Sequence, residues 1–261
     1  MPFVVVGPHP DDVEVATGGL QYRLVQEGRG NIHWLVLTTG AGATGVLDSQ
    51  IDEYQSLSAE QLARQKIELR QGETKAAANI LGISGKNLAF FEFGAGSKQE
   101  PQEAYNTQMG PDQEEAFVNH LKKIAQSMLP GAPIAIAWNT PDDPHPAHRH
   151  AAAFTEAAVM RFTRETGRPV HALRFKLRED SENIPDPNLC LFMSRAEIDA
   201  KQAMLSCHQS QFDHYTLKPR PEIGTVSEVA YRKDKTNAAA SRGQFPEENL
   251  AGYTMAETYE V

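Results

Sequence analysis

The chain is poor in the features that would commit it to a membrane, an oxidising compartment or a nucleic acid. Among 261 residues there are two cysteines, Cys190 and Cys207. Neither sits in a Cys-x-x-Cys pair, so no disulfide framework or thiolate metal clip is expected, and each reads as a small buried hydrophobe. No apolar run approaches the ~20 residues that a bilayer-spanning helix needs. Met1-Pro2-Phe3 leads straight into a strand, without a basic stretch or a signal-like apolar core. The expectation is therefore a cytoplasmic protein with no membrane span. Positive charge is also short, with 25 Lys+Arg against 34 Asp+Glu and a net charge of -9. That argues against a nucleic-acid partner, which wants a basic stripe. Internal repeats, coiled-coil heptads and low-complexity tracts are missing too.

One glycine-rich stretch, Thr39 to Gly45, lacks the Lys-Ser/Thr ending of a P-loop. It follows the second predicted strand, not the first, as a dinucleotide fingerprint would. The turn after the first strand carries histidine and aspartate where glycines would cradle a pyrophosphate, and negative charge there repels phosphate.

What the chain has is alternation. Phe3 to Val6 reads as a buried strand, Val13 to Val25 as a helix, and Ile32 to Thr38 as a second strand, which makes a βαβ unit. Helical spacing recurs over Ala59 to Leu81, Glu114 to Met128, Ala151 to Phe162 and Arg195 to His208. Strands are expected at Asn87 to Phe93, Pro133 to Trp138, Val170 to Leu177 and Thr225 to Tyr231. The tail from Asn237 is small and polar. Long loops are expected up to Ser58, as a candidate lid, and from Gly94 to Asp112. His33 is expected on a strand's surface. Arg70 and Glu73, an i,i+3 pair, read in isolation as a solvated surface ion pair. The fold class is α/β: a three-layer, Rossmann-like, mostly parallel sheet. One domain is expected over 1–261, with a core at 1–167 and a smaller strand-and-loop extension at 168–261 that covers the site.

Two turns carry the chemistry. Gly7-Pro8-His9-Pro10-Asp11-Asp12-Val13-Glu14 follows the first strand, and Asn139-Thr140-Pro141-Asp142-Asp143-Pro144-His145-Pro146-Ala147-His148-Arg149-His150 follows the fourth. Taken singly, either could be a proline-shaped loop with an acidic helix cap. In a parallel sheet both project from the same carboxyl edge, so the two can meet. Joining His148 to His9 and Asp12 gives a two-nitrogen, one-oxygen donor set with an open position, as catalytic zinc uses. His145 would stand beside that position as an acid or electrostatic donor, and His150 should point to the surface.

These residues resemble the LmbE-like, or PIG-L, family of zinc-dependent N-acetyl-sugar deacetylases. Pro8-His9-Pro10-Asp11-Asp12-Val13-Glu14 and His145-Pro146-Ala147-His148-Arg149 carry the likeness. Thr39-Gly40, Arg70-Gln71-Gly72-Glu73 with Ala76, Ala77, Leu81 and Gly82, and Lys201, Leu205, His208, Ser210 and Gln211 extend it. The resemblance implies zinc on His9, Asp12 and His148, Asp11 as general base, and His145 protonating the leaving amine or steadying the oxyanion. Arg70 would contact a substrate oxygen or brace the site, and His208, His214 and Tyr215 are outlying candidates. The implied substrate is a small amino-sugar conjugate. Iron(II) or manganese(II) suits the same donors, and a homo-oligomer stays open. Ala147 departs from the family's H-P-D-H pattern, and Phe93-Gly94-Ala95-Gly96 stands where the family often has an acid. A catalytically weakened carbohydrate- or nucleotide-binding protein on the same fold is the alternative.

Overall fold

The computed structural model describes residues 1–42, 56–93, 109–143, 145–175, 189–211 and 255–260. Its frame is a sheet built from strands β1 (Phe3–Gly7), β2 (Ile32–Thr38), β3 (Leu88–Phe93), β4 (Ile134–Asn139), β5 (Val170–Phe175), β6 (Leu189–Met193) and β7 (Met255–Glu260), in the order β3-β2-β1-β4-β5-β7-β6. The first five strands are parallel, and β7 runs antiparallel to both β5 and β6. β1, β2 and β4 are buried along their whole length, which is why they read as unbroken apolar runs and not as alternating ones.

Alternate residues of each strand feed two separate cores. Val4, Val6, Leu35, Leu37, Ile134, Ile136 and Trp138 face helices α3 (Pro111–Gln126) and α4 (Pro146–Thr166), meeting Phe117, Leu121, Ile124, Phe154 and Phe162. Phe3, Val5, Ile32, Trp34, Ala135 and Ala137 face the other way. They meet Val13 and Ala16 of α1 (Asp12–Gln26), Ala77 and Ala78 of α2 (Ala59–Ile80) and Met204 of α5 (Arg195–Leu205). The period of two along each strand thus produces the three layers.

Helix starts differ from the expectation by a few residues. α3 begins at Pro111 and α4 at Pro146, each with proline in the first turn, where its missing N–H costs nothing. His148 therefore lies in the first turn of α4. α2 opens on a capping box between Ser58 and Gln61. In the extension, β6 and β7 lengthen the sheet beyond β5. The pattern had not marked either one. α5 is pinned to α1 by Arg23 and Glu197, with one nitrogen–oxygen contact at 2.9 Å. The expected strand at 225–231, most of the two long loops, His214 and Tyr215 lie outside the described residues.

Candidate active site

The strand order reverses between β1 and β4: the chain steps outward through β2 and β3 on one side and through β5 on the other. Open α/β sheets bind ligands at such a switch point, outside the carboxyl ends of the strands. Both histidine-bearing turns leave from there. Gly7 lets the first turn fold back tightly, since a Cβ on it would meet Val13 Cγ2 at 2.7 Å. Thr38, ending β2, donates both its N–H and its hydroxyl to the Pro8 carbonyl, at 3.0 and 2.8 Å. Asn139, ending β4, donates from Nδ2 to the His148 carbonyl at 2.9 Å and so ties α4 to its strand.

His9 and His148, 139 residues apart in sequence, meet with Nδ1 and Nε2 at 3.1 Å. Asp12 Oδ2 lies 3.1 Å from the first nitrogen and 3.4 Å from the second, and it also accepts the His9 backbone N–H at 2.8 Å. Burial works against a charge on Asp12, yet His148 and His9 hold its carboxyl well below the ordinary carboxylate range. Burial opposes the charge on His148 too, and Asp12 and Asp143 outweigh it, pushing this imidazole well above its ordinary range. Donors on an ion with bonds of ~2.0–2.1 Å stand about 3.3 Å apart when tetrahedral. The three potential donor atoms converge at that spacing, and the set, once His148 gives up its proton, fits a divalent cation. A second overlapping donor group is His9, His145 and His148, whose ligand atoms all lie within 4.8 Å of one another.

Asp11, between His9 and Asp12, points elsewhere. Its backbone has φ 156°, a region side chains rarely adopt, and its carboxylate makes no helix cap. Asp11 Oδ1 instead accepts from Arg70 Nη2 at 2.9 Å. The same guanidinium donates to the Pro10 and Gly40 carbonyls at 3.0 and 3.1 Å. Arg70 is 3% exposed, and Glu73 is buried as well. The expected surface ion pair is therefore replaced by two buried braces, because Glu73 turns to the backbone N–H and hydroxyl of Ser210, at 2.8 and 2.5 Å.

His145 is the N-cap of α4, where its Nδ1 accepts the Ala147 N–H at 3.2 Å. With that lone pair engaged, a neutral ring carries its proton on Nε2. Its ring packs 4.6 Å from that of His148 and 5.2 Å, edge-on, from that of His9. Asp143 is not among the site residues expected from the sequence. The structure buries it with one oxygen 2.7 Å from the His145 N–H and the other 3.0 Å from His148 Nδ1. The available signal was its spacing, an acid two residues before one histidine and five before the other.

The outlying histidines lie away from this cluster. His208 is buried 2.9 Å from Glu14 of the first motif, a pair that ties the end of α5 to α1. Burial raises the Glu14 carboxyl, with His208 opposing. His33, expected on a surface, is buried beside Asn31 at 3.1 Å, and His150 is half-buried.

Residues 4–159 match the family described as PIG-L, GlcNAc-PI de-N-acetylase. The chain belongs to this family. It is an enzyme family of deacetylases, and the fold agrees with solved structures. A conserved protein of Thermus thermophilus is 22% identical with a TM-score of 0.63, covering 99% of this chain and 93% of that one. The N,N'-diacetylchitobiose deacetylase of Pyrococcus horikoshii is 17% identical with a TM-score of 0.61, covering 99% and 82%. The 4-carboxy-2-hydroxymuconate hydratase of Pseudomonas putida is 16% identical with a TM-score of 0.69, covering 99% and 95%. At these identities the likeness is one of fold. No curated protein sequence matches the chain. Among the described residues no helix is long and apolar enough to cross a membrane.

Proposed function

We propose that this PIG-L family member is a divalent-metal-dependent hydrolase that removes the acetyl group from the amine of an amino-sugar conjugate. The observation that carries the reading is the triangle of His9 Nδ1, Asp12 Oδ2 and His148 Nε2, with edges of 3.1 to 3.4 Å. Beside it stand one carboxylate and one imidazole that the triangle does not use.

His9, Asp12 and His148 would hold the ion. What such an ion supplies when bound is polarisation of the acyl carbonyl and acidification of water. Asp11 takes the proton of the attacking water as oxygen bonds to the acyl carbon. Arg70 holds the Asp11 carboxylate in place for that transfer. His145 presents Nε2–H to the oxygen that becomes negative, as an oxyanion donor does. When the carbon–nitrogen bond breaks, the departing nitrogen takes up a proton delivered by His145 or Asp11, leaving acetate and a free amine. The reading treats 1–261 as one catalytic unit, supported by β6 and β7 of the extension belonging to the same sheet as β1 to β5.

The test is metal content together with acetate release from a panel of N-acetylglucosamine derivatives. One equivalent of metal, with release abolished by a chelator and restored by zinc, is the expected result. A metal-loaded chain that releases no acetate from any amino sugar overturns the substrate class and favours a binding protein. A chain that holds no metal overturns the mechanism.

A further inference from the structure

We infer that Asp143 is a positioning residue that dictates which nitrogen of His148 carries the proton, and thereby presents the other as a lone pair to the donor triangle. The inference rests on the metal-site reading above. Asp143 is 4% exposed, so no bulk water competes for its oxygens. Its two oxygens face two donors: Oδ1 takes the His145 backbone N–H at 2.7 Å, and Oδ2 faces His148 Nδ1 at 3.0 Å. A carboxylate at Nδ1 keeps the ring proton there. Nε2, 3.1 Å from His9 Nδ1 and 3.4 Å from Asp12 Oδ2, is left to ligate. The same carboxylate also spaces the two histidines, because it accepts the backbone N–H of one and lies 3.0 Å from a ring nitrogen of the other. Ala147 cannot serve in this way, having no acid to offer. The acid of this turn comes from the strand side of the loop and not from the helix.

The amide variant tests this sharply. Asparagine is the same size but offers one acceptor where the site has two donors. Either His145 N–H or His148 Nδ1–H would then face an NH2 group. Arg149 donates from Nη1 to the Asp143 backbone carbonyl at 3.0 Å, so Arg149→Ala loosens the loop without altering the carboxylate.

The experiment measures zinc affinity by competition with a chromophoric chelator, and the visible absorption of the cobalt(II)-substituted protein, for wild type, Asp143→Asn and Arg149→Ala. Circular dichroism checks folding. Asp143→Asn should bind zinc roughly 10–100-fold more weakly with a shifted cobalt band, while Arg149→Ala stays within about twofold of wild type on the same scale. Unchanged affinity and spectrum in Asp143→Asn, or an equal loss in Arg149→Ala, overturns the inference. Should Asp143→Asn not fold, ring nitrogen–proton correlation spectra of zinc-loaded wild type decide. A proton on His148 Nδ1 is expected, and a proton on Nε2 overturns the inference. Wild type that binds no zinc overturns this inference and the proposed function together, whereas zinc-loaded wild type with an unaffected Asp143→Asn overturns this one alone.

Discussion

Arg70 and Asp11 are 59 residues apart in the chain and joined by a 2.9 Å contact between guanidinium and carboxylate. The terminal nitrogens of Arg70 bind Asp11, Pro10 and Gly40, which places the guanidinium to hold the turn. Arg70→Met should lower kcat about 100-fold, the scale of a misplaced reacting group. KM should change little and zinc content not at all. Two buried carbonyls lose their donor, which should cost about 2–4 kcal/mol of stability in a urea melt. A raised KM with unchanged kcat would instead make Arg70 a substrate contact.

The strained backbone of Asp11 can be weighed separately from its carboxylate. Asp11→Ala and Asp11→Gly both remove the proposed base and the partner of Arg70, so both should lose nearly all turnover while keeping zinc. They differ in backbone freedom. At φ 156° alanine keeps the strain and glycine relieves it. Strain at such positions is about 1–3 kcal/mol, offset in part by the entropy glycine loses on folding. Asp11→Gly should therefore be the more stable of the two by about 1–2 kcal/mol in equilibrium unfolding. Equal stabilities would mean that the turn is not strained.

Much of this site was legible because two kinds of signal agreed. Buried strands such as Val4-Val5-Val6 and Ile134-Ala135-Ile136 are apolar on both faces, and a parallel sheet sends all its following turns to one edge. That brought His9 and His148 together on paper, as they are in the structure. Asp143 was not legible, since its importance lies in a side chain turning back along its own loop. Arg70 and Glu73 were misjudged because i,i+3 spacing says nothing about what covers a helix face; here the turn after β1 and the end of α5 cover it. The strands at 189–193 and 255–260 escaped because each pairs antiparallel with a partner distant in sequence, β7 lying between β5 and β6, so no local pattern announces the pairing.

His145 is best tested by varying the leaving group. If its Nε2–H serves the departing amine, His145→Ala should lower kcat on an N-acetyl amino sugar by about 10²–10⁴-fold. The nitrophenolate of nitrophenyl acetate leaves without protonation, so any hydrolysis of that ester should fall by no more than the oxyanion contribution. Zinc content should be unchanged, since the ring is outside the His9–Asp12–His148 triangle. An equal loss on both substrates would restrict His145 to the oxyanion. Loss of zinc would place it among the ligands.

Away from the site, His33 should make the fold acid-sensitive. Burial lowers its pKa to about 4, with His120 and Lys86 adding repulsion. In the unfolded chain the value is ~6.5. Below that pH the unfolded state binds a proton that the folded state refuses, so stability falls as pH drops from ~6.5 to about 4 and levels off beneath it. His33→Gln removes this contribution. Thermal melts between pH 8 and 4 should show a shallower decline for the variant than for wild type, on a scale set by the ~6.5 starting value. Parallel declines would assign the sensitivity to other groups, of which His120, also lowered by burial, is the first to examine.

Gly40 provides a test of the Arg70 brace that touches no chemically active group. Its φ is +64°, and a Cβ there would fall on the Arg70 guanidinium, against Nη1 and 2.7 Å from Cζ, with Pro10 Cδ at 3.1 Å. Alanine must therefore push the guanidinium off the carbonyl it binds and away from Asp11, besides straining its own backbone by about 1–2 kcal/mol. Gly40→Ala should reproduce the kinetics of Arg70→Met, a fall in kcat with zinc retained and KM nearly constant. Among the described residues nothing comes within 4 Å of a Cβ at Gly42, two residues on, so Gly42→Ala is the matched control and should keep wild-type turnover. If Gly40→Ala releases acetate at the wild-type rate, the guanidinium can leave its seat without moving Asp11, and the link from Arg70 to catalysis fails.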